Sequence, residues 1–152
     1  MILSGCASSA KKEATTQAVR GTGFAFEAPI GWRVEQKQTS TAVSHGKVDR
    51  IEVFRFKLEK LYRVANFHAV SGELDGVAAK LATQLKGRVV RRSTVRLARR
   101  KARSYRIDYG TGRTDEIGFV LIAKTEYQLL CRRPTSGSDS ACAMFFSTFA
   151  LG

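Results

Sequence analysis

The sequence predicts an α+β domain, on three observations. Several runs alternate apolar and polar residues with the period of a half-buried strand, separated by turn residues. One stretch near the middle, from Leu74 to Leu85, repeats its apolar residues at helical spacing and is followed by Gly87. A last stretch, Ser138–Ala150, places Cys142, Phe145, Phe146 and Phe149 at helical spacing.

The elements follow in order. Gly23–Pro29 reads as a short edge strand, because proline ends it and cannot donate to a ladder. Gly31–Glu35 starts a second short strand. Residues 37–46 are polar and predict a loop through Ser44-His45-Gly46. From Val48 to Leu58, Ile51, Val53, Phe56 and Leu58 are set against Arg50, Glu52, Arg55 and Lys57, a half-buried strand. Residues 61–70 fit either a helix or a strand. In the central helix Leu74, Val77, Ala78, Leu81 and Leu85 mark one face, and Gly87 supplies the stop. Val89–Leu97 and Ala102–Tyr109 flank Arg99-Arg100-Lys101, which reads as a hairpin turn. Gly110-Thr111-Gly112 turns the chain again. Glu116–Ala123 and Glu126–Cys131 read as a second hairpin around Lys124-Thr125.

At 152 residues and 43% hydrophobic content, the chain is long enough for one core, and wholesale disorder is excluded. No run approaches the roughly 18 apolar residues of a membrane-spanning helix. The charge is lopsided, with 26 Lys and Arg against 13 Asp and Glu, a net +13.

The N-terminal Leu3-Ser4-Gly5-Cys6 resembles a bacterial lipobox, the cleavage site of lipoproteins, in which small residues precede the cysteine that becomes lipidated. The resemblance implies that Cys6 is the first residue of the mature chain and carries the lipid. Several acyl chains on one residue would meet the two-signal requirement for stable anchoring. A secretory leader needs an apolar stretch of about 7–15 residues. Only five residues precede Cys6, so the rest of the leader is expected upstream of Met1. Polar residues follow, and the organisation expected is a lipobox remnant and tether over 1–20 and a single domain over 21–152.

Cys131 and Cys142 bracket a loop-forming segment, Arg132 to Ala141. A disulfide there would contribute roughly 2–3 kcal/mol by closing the loop. Two buried thiols are the alternative. A lipidated Cys6 implies an oxidising compartment and favours the bridge, leaving no cysteine over. The spacing fits no zinc motif, and no metal site is expected.

A wider resemblance covers residues 22–151. It rests on Phe24-Ala25-Phe26-Glu27-Ala28-Pro29-Ile30-Gly31-Trp32, the central helix, the antiparallel strands after it, Tyr127-Gln128-Leu129-Leu130-Cys131, and a closing helix ending Phe146-Ser147-Thr148-Phe149-Ala150-Leu151. Together these resemble the PsbP-like fold of a photosystem extrinsic subunit, a yeast Ran-binding import factor and many bacterial lipoproteins. The resemblance implies an antiparallel sheet sandwiched by helices. Members of this fold bind proteins or assist assembly, so no enzyme activity and no cofactor is expected, and fold alone does not decide function.

Between Asp75 and Asp108 there is no acidic residue, while the stretch holds eleven basic ones. With Val95, Leu97, Tyr105 and Ile107 inward, Arg96 and Arg106 would face out side by side. Arg91, Arg92, Arg96, Arg99, Arg100, Lys101, Arg103 and Arg106 then form a basic stripe fit for a polyanion. A solvated, Arg-protected edge strand is the plainer alternative. Beside a lipid anchor the partners expected are the membrane itself, an envelope protein, or an anionic lipid or cell-wall polymer. An exported chain would not meet cytosolic nucleic acid, and no helix-turn-helix, zinc finger or RNA-stacking signature occurs.

No Gly-x-Ser-x-Gly elbow, His-Glu-x-x-His pair, phosphate loop or calcium loop is present. Adjacent Asp115 and Glu116 on a strand point to opposite faces and cannot share acid–base work. His45 and His68 read as structural or exposed, and Trp32 as a core anchor.

Overall fold

The computed structural model describes residues 14–152, so Cys6 and most of the tether lie outside the described residues. The strands are β1 (Thr16–Gly21), β2 (Phe24–Pro29), β3 (Arg33–Gln36), β4 (Ser40–His45), β5 (Asp49–Tyr62), β6 (Gly87–Leu97), β7 (Arg100–Tyr109), β8 (Arg113–Pro134) and β9 (Ala150–Leu151). The helices are α1 (Phe67–Gln84), entered through a 3-10 turn at Val64–Asn66, and α2 (Ser140–Thr148). A six-stranded sheet runs in the order β3-β4-β5-β8-β7-β6 and a three-stranded one in the order β1-β2-β9. Every pairing is antiparallel.

The large sheet is closed on both faces. On one, Val43, Ile51, Val53, Leu129 and Cys131 pack against Phe24 and Phe26 of the small sheet and Phe145 and Phe149 at α2. On the other, Tyr105, Ile107, Tyr109, Ile117 and Phe119 pack against Leu74, Ala78 and Ala82 of α1. The expected antiparallel sheet between helices is therefore present, with the small sheet sharing one covering layer with α2.

Several local expectations are corrected. Thr16–Gly21 is not tether but a paired strand. Only its Val19 is buried, and its polar residues are tied locally: Gln17 Nε2 donates to the carbonyls of Pro29 and Trp32 at 3.0 and 2.8 Å. The domain thus includes residues before 21. β2 is the central strand of the small sheet rather than an edge. The segment expected as a loop over 37–46 contains β4, whose residues Ser40–Val43 are buried. Its hydroxyls are satisfied inside, Ser40 Oγ donating to Glu52 Oε1 at 2.8 Å and Thr41 Oγ1 to Gln36 Oε1 at 2.6 Å. Such pairing lets polar residues occupy a buried strand.

The hairpin expected at Lys124-Thr125 is one continuous strand of 22 residues. Its irregularity is a bulge. Ala123 takes a left-handed φ of 52°, and the register against β5 jumps between Lys57 and Tyr62. A bulge of this kind reverses the alternation of faces. Ile117, Phe119 and Leu121 face α1 before it, and Leu130 does so after it. The helix also sits differently from expectation: Val77 and Leu85 are 44% and 49% exposed, and Ala82 is buried instead. Gly87 starts β6, and the positive φ that ends the helix falls on Lys86, at 56°.

Candidate functional site

The eight basic side chains expected to form the stripe fall into three groups. Arg103 and Arg92 turn to Asp75 of α1. Arg103 Nε and Nη2 donate to its two oxygens at 2.9 and 3.1 Å, and Arg92 lies 3.9 Å away. The Tyr105 hydroxyl donates to the same carboxylate. The Arg103 hydrogen bonds hold Asp75 below the ordinary carboxylate range, against the opposing effect of burial. Tyr105 is pushed well up, by burial first and by its bond to Asp75 second. Arg106 and Arg91 turn to Glu116 on the other face, at 2.6 and 3.4 Å. Arg103 and Arg106 are held closely in these ion pairs, while Arg91 and Arg92 reach the same carboxylates at longer range and stay 50% and 65% exposed.

The remaining group crowns the turn. Arg96, Arg99, Arg100 and Lys101 form no ion pair among the described residues. Arg96 Nη2 donates to the Arg99 carbonyl at 2.9 Å, and Lys101 Nζ stands 4.8 Å over the Phe67 ring. The turn is a two-residue one on Ala98 and Arg99, with φ of 50° and 62°, not the expected Arg99-Arg100-Lys101. Two consecutive left-handed residues match the twist of a hairpin, though Asn-Gly is the usual pair.

Beside these cations lies a groove. Between the hairpin and α2 is a cavity of about 380 Å³, lined by Val95, Leu97 and Ile117 below and by Ala143, Phe146 and Ser147 of α2 at the side. It continues along Arg96, Arg99 and Arg100 into a second depression of about 740 Å³ reaching Leu151. Arg96, Phe146 and Ser147 line both. Gly118 sets the floor: a Cβ there would come within 2.7 Å of Leu97 and 2.9 Å of Phe146. The groove therefore offers an apolar floor, an aromatic wall and three guanidinium groups without ion pairs, Arg96 at the cavity and Arg99 and Arg100 along its continuation. Asp139 and the Glu116 carboxylate, the latter neutralised by Arg91 and Arg106, complete the lining.

The Cys131–Cys142 disulfide is present, with Cα atoms 5.5 Å apart, and ties β8 to α2. It braces the helix that walls the groove. Helical spacing in the last segment predicts all three phenylalanines in the core. Phe145 and Phe149 are buried there, and half-buried Phe146 packs against the same core while its open side lines the groove. The available signal was adjacency, since Phe145 and Phe146 stand about 100° apart on a helix and cannot share one direction.

Asp115 and Glu116 do point to opposite faces. Asp115 is buried, takes Arg132 Nε and Nη2 at 2.8 and 3.1 Å, and accepts the Tyr109 hydroxyl at 2.9 Å. Burial and Asp115 together push Tyr109 up to about 12. His45 closes β4 and stacks on Trp32, ring centroids 5.9 Å apart, and Trp32 packs against the core as expected. His68 lies in the first turn of α1. Among the described residues no three His, Cys, Asp or Glu side chains converge where a metal ion could sit, and no helix is long and apolar enough to cross a membrane.

No family model and no curated protein matches this chain. Among solved structures it is similar to the solution structure of cyanobacterial PsbP (CyanoP) from Synechocystis sp., at 13% identity and a TM-score of 0.66, over 99% of each chain. It is also similar to a crystal structure from Bacteroides thetaiotaomicron, at 13% identity and a TM-score of 0.61. That match covers 93% of this chain and 49% of the other, so this chain spans about half the length of the Bacteroides protein. Likeness at this identity concerns the fold, and the fold is PsbP-like.

Proposed function

We propose that this PsbP-like chain is a non-catalytic binding module of a bacterial cell envelope, held at a membrane by lipid on Cys6. In this reading the groove between the β6–β7 hairpin and α2 takes part of a protein partner, an apolar side chain with acidic neighbours. One observation carries it: Phe146, Val95 and Leu97 form an apolar trough whose rim holds Arg96, Arg99 and Arg100 without acidic partners among the described residues. Aromatic and arginine side chains around a desolvated pocket are the usual energetic centre of a protein interface. The disulfide supports the oxidising compartment that export implies.

The anchor is tested by fatty-acid labelling of the chain expressed from its native upstream region, beside Cys6→Ala. Label in the wild type and none in the variant is the expected result, and no label in either removes the anchor from this reading. The groove is tested by a photo-crosslinking residue at Ser147, in the wall, against one at Lys80, an exposed position on α1 outside the groove. A partner crosslinked from Ser147 and not from Lys80 is expected. Equal yields would contradict the groove.

A second reading is favoured by the same unpaired cations together with Arg88, which is also exposed and without an acidic partner among the described residues. It is a surface for an anionic lipid or cell-wall polymer, to which each cation would contribute on the order of 1 kcal/mol. Reversing Arg96, Arg99 and Arg100 to Glu would abolish either kind of binding. Phe146→Ala would weaken the protein partner and spare binding of an anionic headgroup or cell-wall polymer that rests on the cations alone.

A further inference from the structure

On the α1 face, opposite the groove, a further cavity of about 360 Å³ opens between the end of β5, the first half of α1 and β8. Its volume lies in the range of small-molecule sites. Leu58, Val70, Leu74 and Leu121 form its walls, and Leu61 and Val77, 46% and 44% exposed, stand at its mouth. The bulge of β8 creates it. The reversal of faces at Ala123 puts Glu126 on the same side of the sheet as Leu130 and α1, and the four residues of β5 between Lys57 and Tyr62 leave the ladder to form the outer wall.

Glu126 is the half-buried carboxylate of this cavity, and burial raises it above the ordinary range with no charge or hydrogen bond to offset it. The chain carries 26 lysines and arginines. Even so, neither Glu126 nor its cavity neighbours Glu59 and Glu73 form an ion pair among the described residues. A partly desolvated carboxylate left without an ion pair beside apolar walls costs some free energy that a bound cation would recover. The apolar walls call for hydrocarbon beside that cation.

We propose that this cavity binds a small lipophilic amine, its hydrocarbon against Leu74 and Leu121 and its ammonium on Glu126. The site is separate from the groove and independent of the lipid on Cys6. The carboxylate must be ionised, so amine binding weakens as pH falls through the Glu126 value. The charged and titratable groups around it are Glu59, Lys60 and Tyr62 from β5 and Glu73 from α1. Arg100 of β7 is near enough to be felt by Tyr62.

The test titrates n-octylamine and its neutral counterpart n-octanol into the full chain. The methyl resonances of Val70, Val77 and Leu121 are followed by NMR. We expect the amine to move these methyls with an affinity on the order of tenfold above the alcohol, the share of one charge-assisted hydrogen bond. Glu126→Gln should erase that preference and leave the melting temperature at or above wild type, since it removes a desolvated charge. Ala69→Phe, which fills the cavity from α1, should abolish both ligands. Equal affinities in the wild type would overturn the proposal. So would an undiminished preference in Glu126→Gln, or the absence of any shift at these methyls.

Discussion

Beneath the small sheet and α2, the six-stranded sheet meets Phe24, Phe26, Phe145 and Phe149, and a disulfide ties the covering helix to β8. Beneath α1 it meets one leucine and two alanines that are fully covered, and the helix is secured at its middle by the Asp75 ion cluster. The first face is packed by large aromatic contacts, including Phe26 against Phe145 at 4.9 Å between centroids, and opens at the groove beside α2. The second is closed by small residues and a polar clamp, which lets the backbone of α1 approach but leaves recesses on either side. The difference teaches where each kind of binding belongs. A rigid, braced wall suits a groove that reads a partner's surface, while a lightly covered face suits a ligand that completes the packing.

The largest effect should come from removing aromatic bulk. Phe145→Ala is expected to destabilise the chain by about 4 kcal/mol, against about 2 kcal/mol for Leu74→Ala on the other face. Urea denaturation would measure both, and equal losses would break the comparison. Next comes the brace. Replacing Cys131 and Cys142 together by Ala should cost about 3 kcal/mol, and hydrogen exchange in α2 should rise more than in α1.

The polar clamp gives the α1 face a pH dependence of its own. Asp75 titrates below its unfolded value, so its contribution is present above about pH 4 and is lost as pH falls through the folded value. Denaturant midpoints recorded downward from pH 6 should therefore decline in the acid range. Asp75→Asn should be less stable at neutral pH and show a shallower decline. The smallest effect is at the hairpin turn. Ala98→Asn with Arg99→Gly places the residues that prefer left-handed φ where φ is 50° and 62°, and should raise stability by about 1 kcal/mol. A loss instead would mean that the turn does not follow this geometry.

The strands of strong alternation were legible in the sequence. Ile51 and Val53 and the pair Tyr105 and Ile107 sit where period two places them. The disulfide followed from cysteine arithmetic, and the fold from a resemblance that the solved structures bear out. The parts that were not legible share a cause. β1 and β4 are strands whose polar side chains find partners only in the folded chain, as Gln17 and Ser40 do. The bulge at Ala123 looks like a turn because both reverse the apolar pattern. The basic stripe was legible as composition but not as geometry. The partners of Arg91, Arg92, Arg103 and Arg106 are Asp75 and Glu116, and both were visible in the sequence without any sign of their contacts.

The most direct measurement is the salt dependence of binding at the groove. A fluorescent peptide with one phenylalanine among glutamates would be titrated into the wild type and into the triple variant Arg96→Glu, Arg99→Glu, Arg100→Glu. Wild-type binding should weaken steeply as salt rises, as expected for contacts to exposed cations, and the triple variant should lose it with its melting temperature unchanged. Peptide binding that survives the three reversals would contradict the groove as the binding surface.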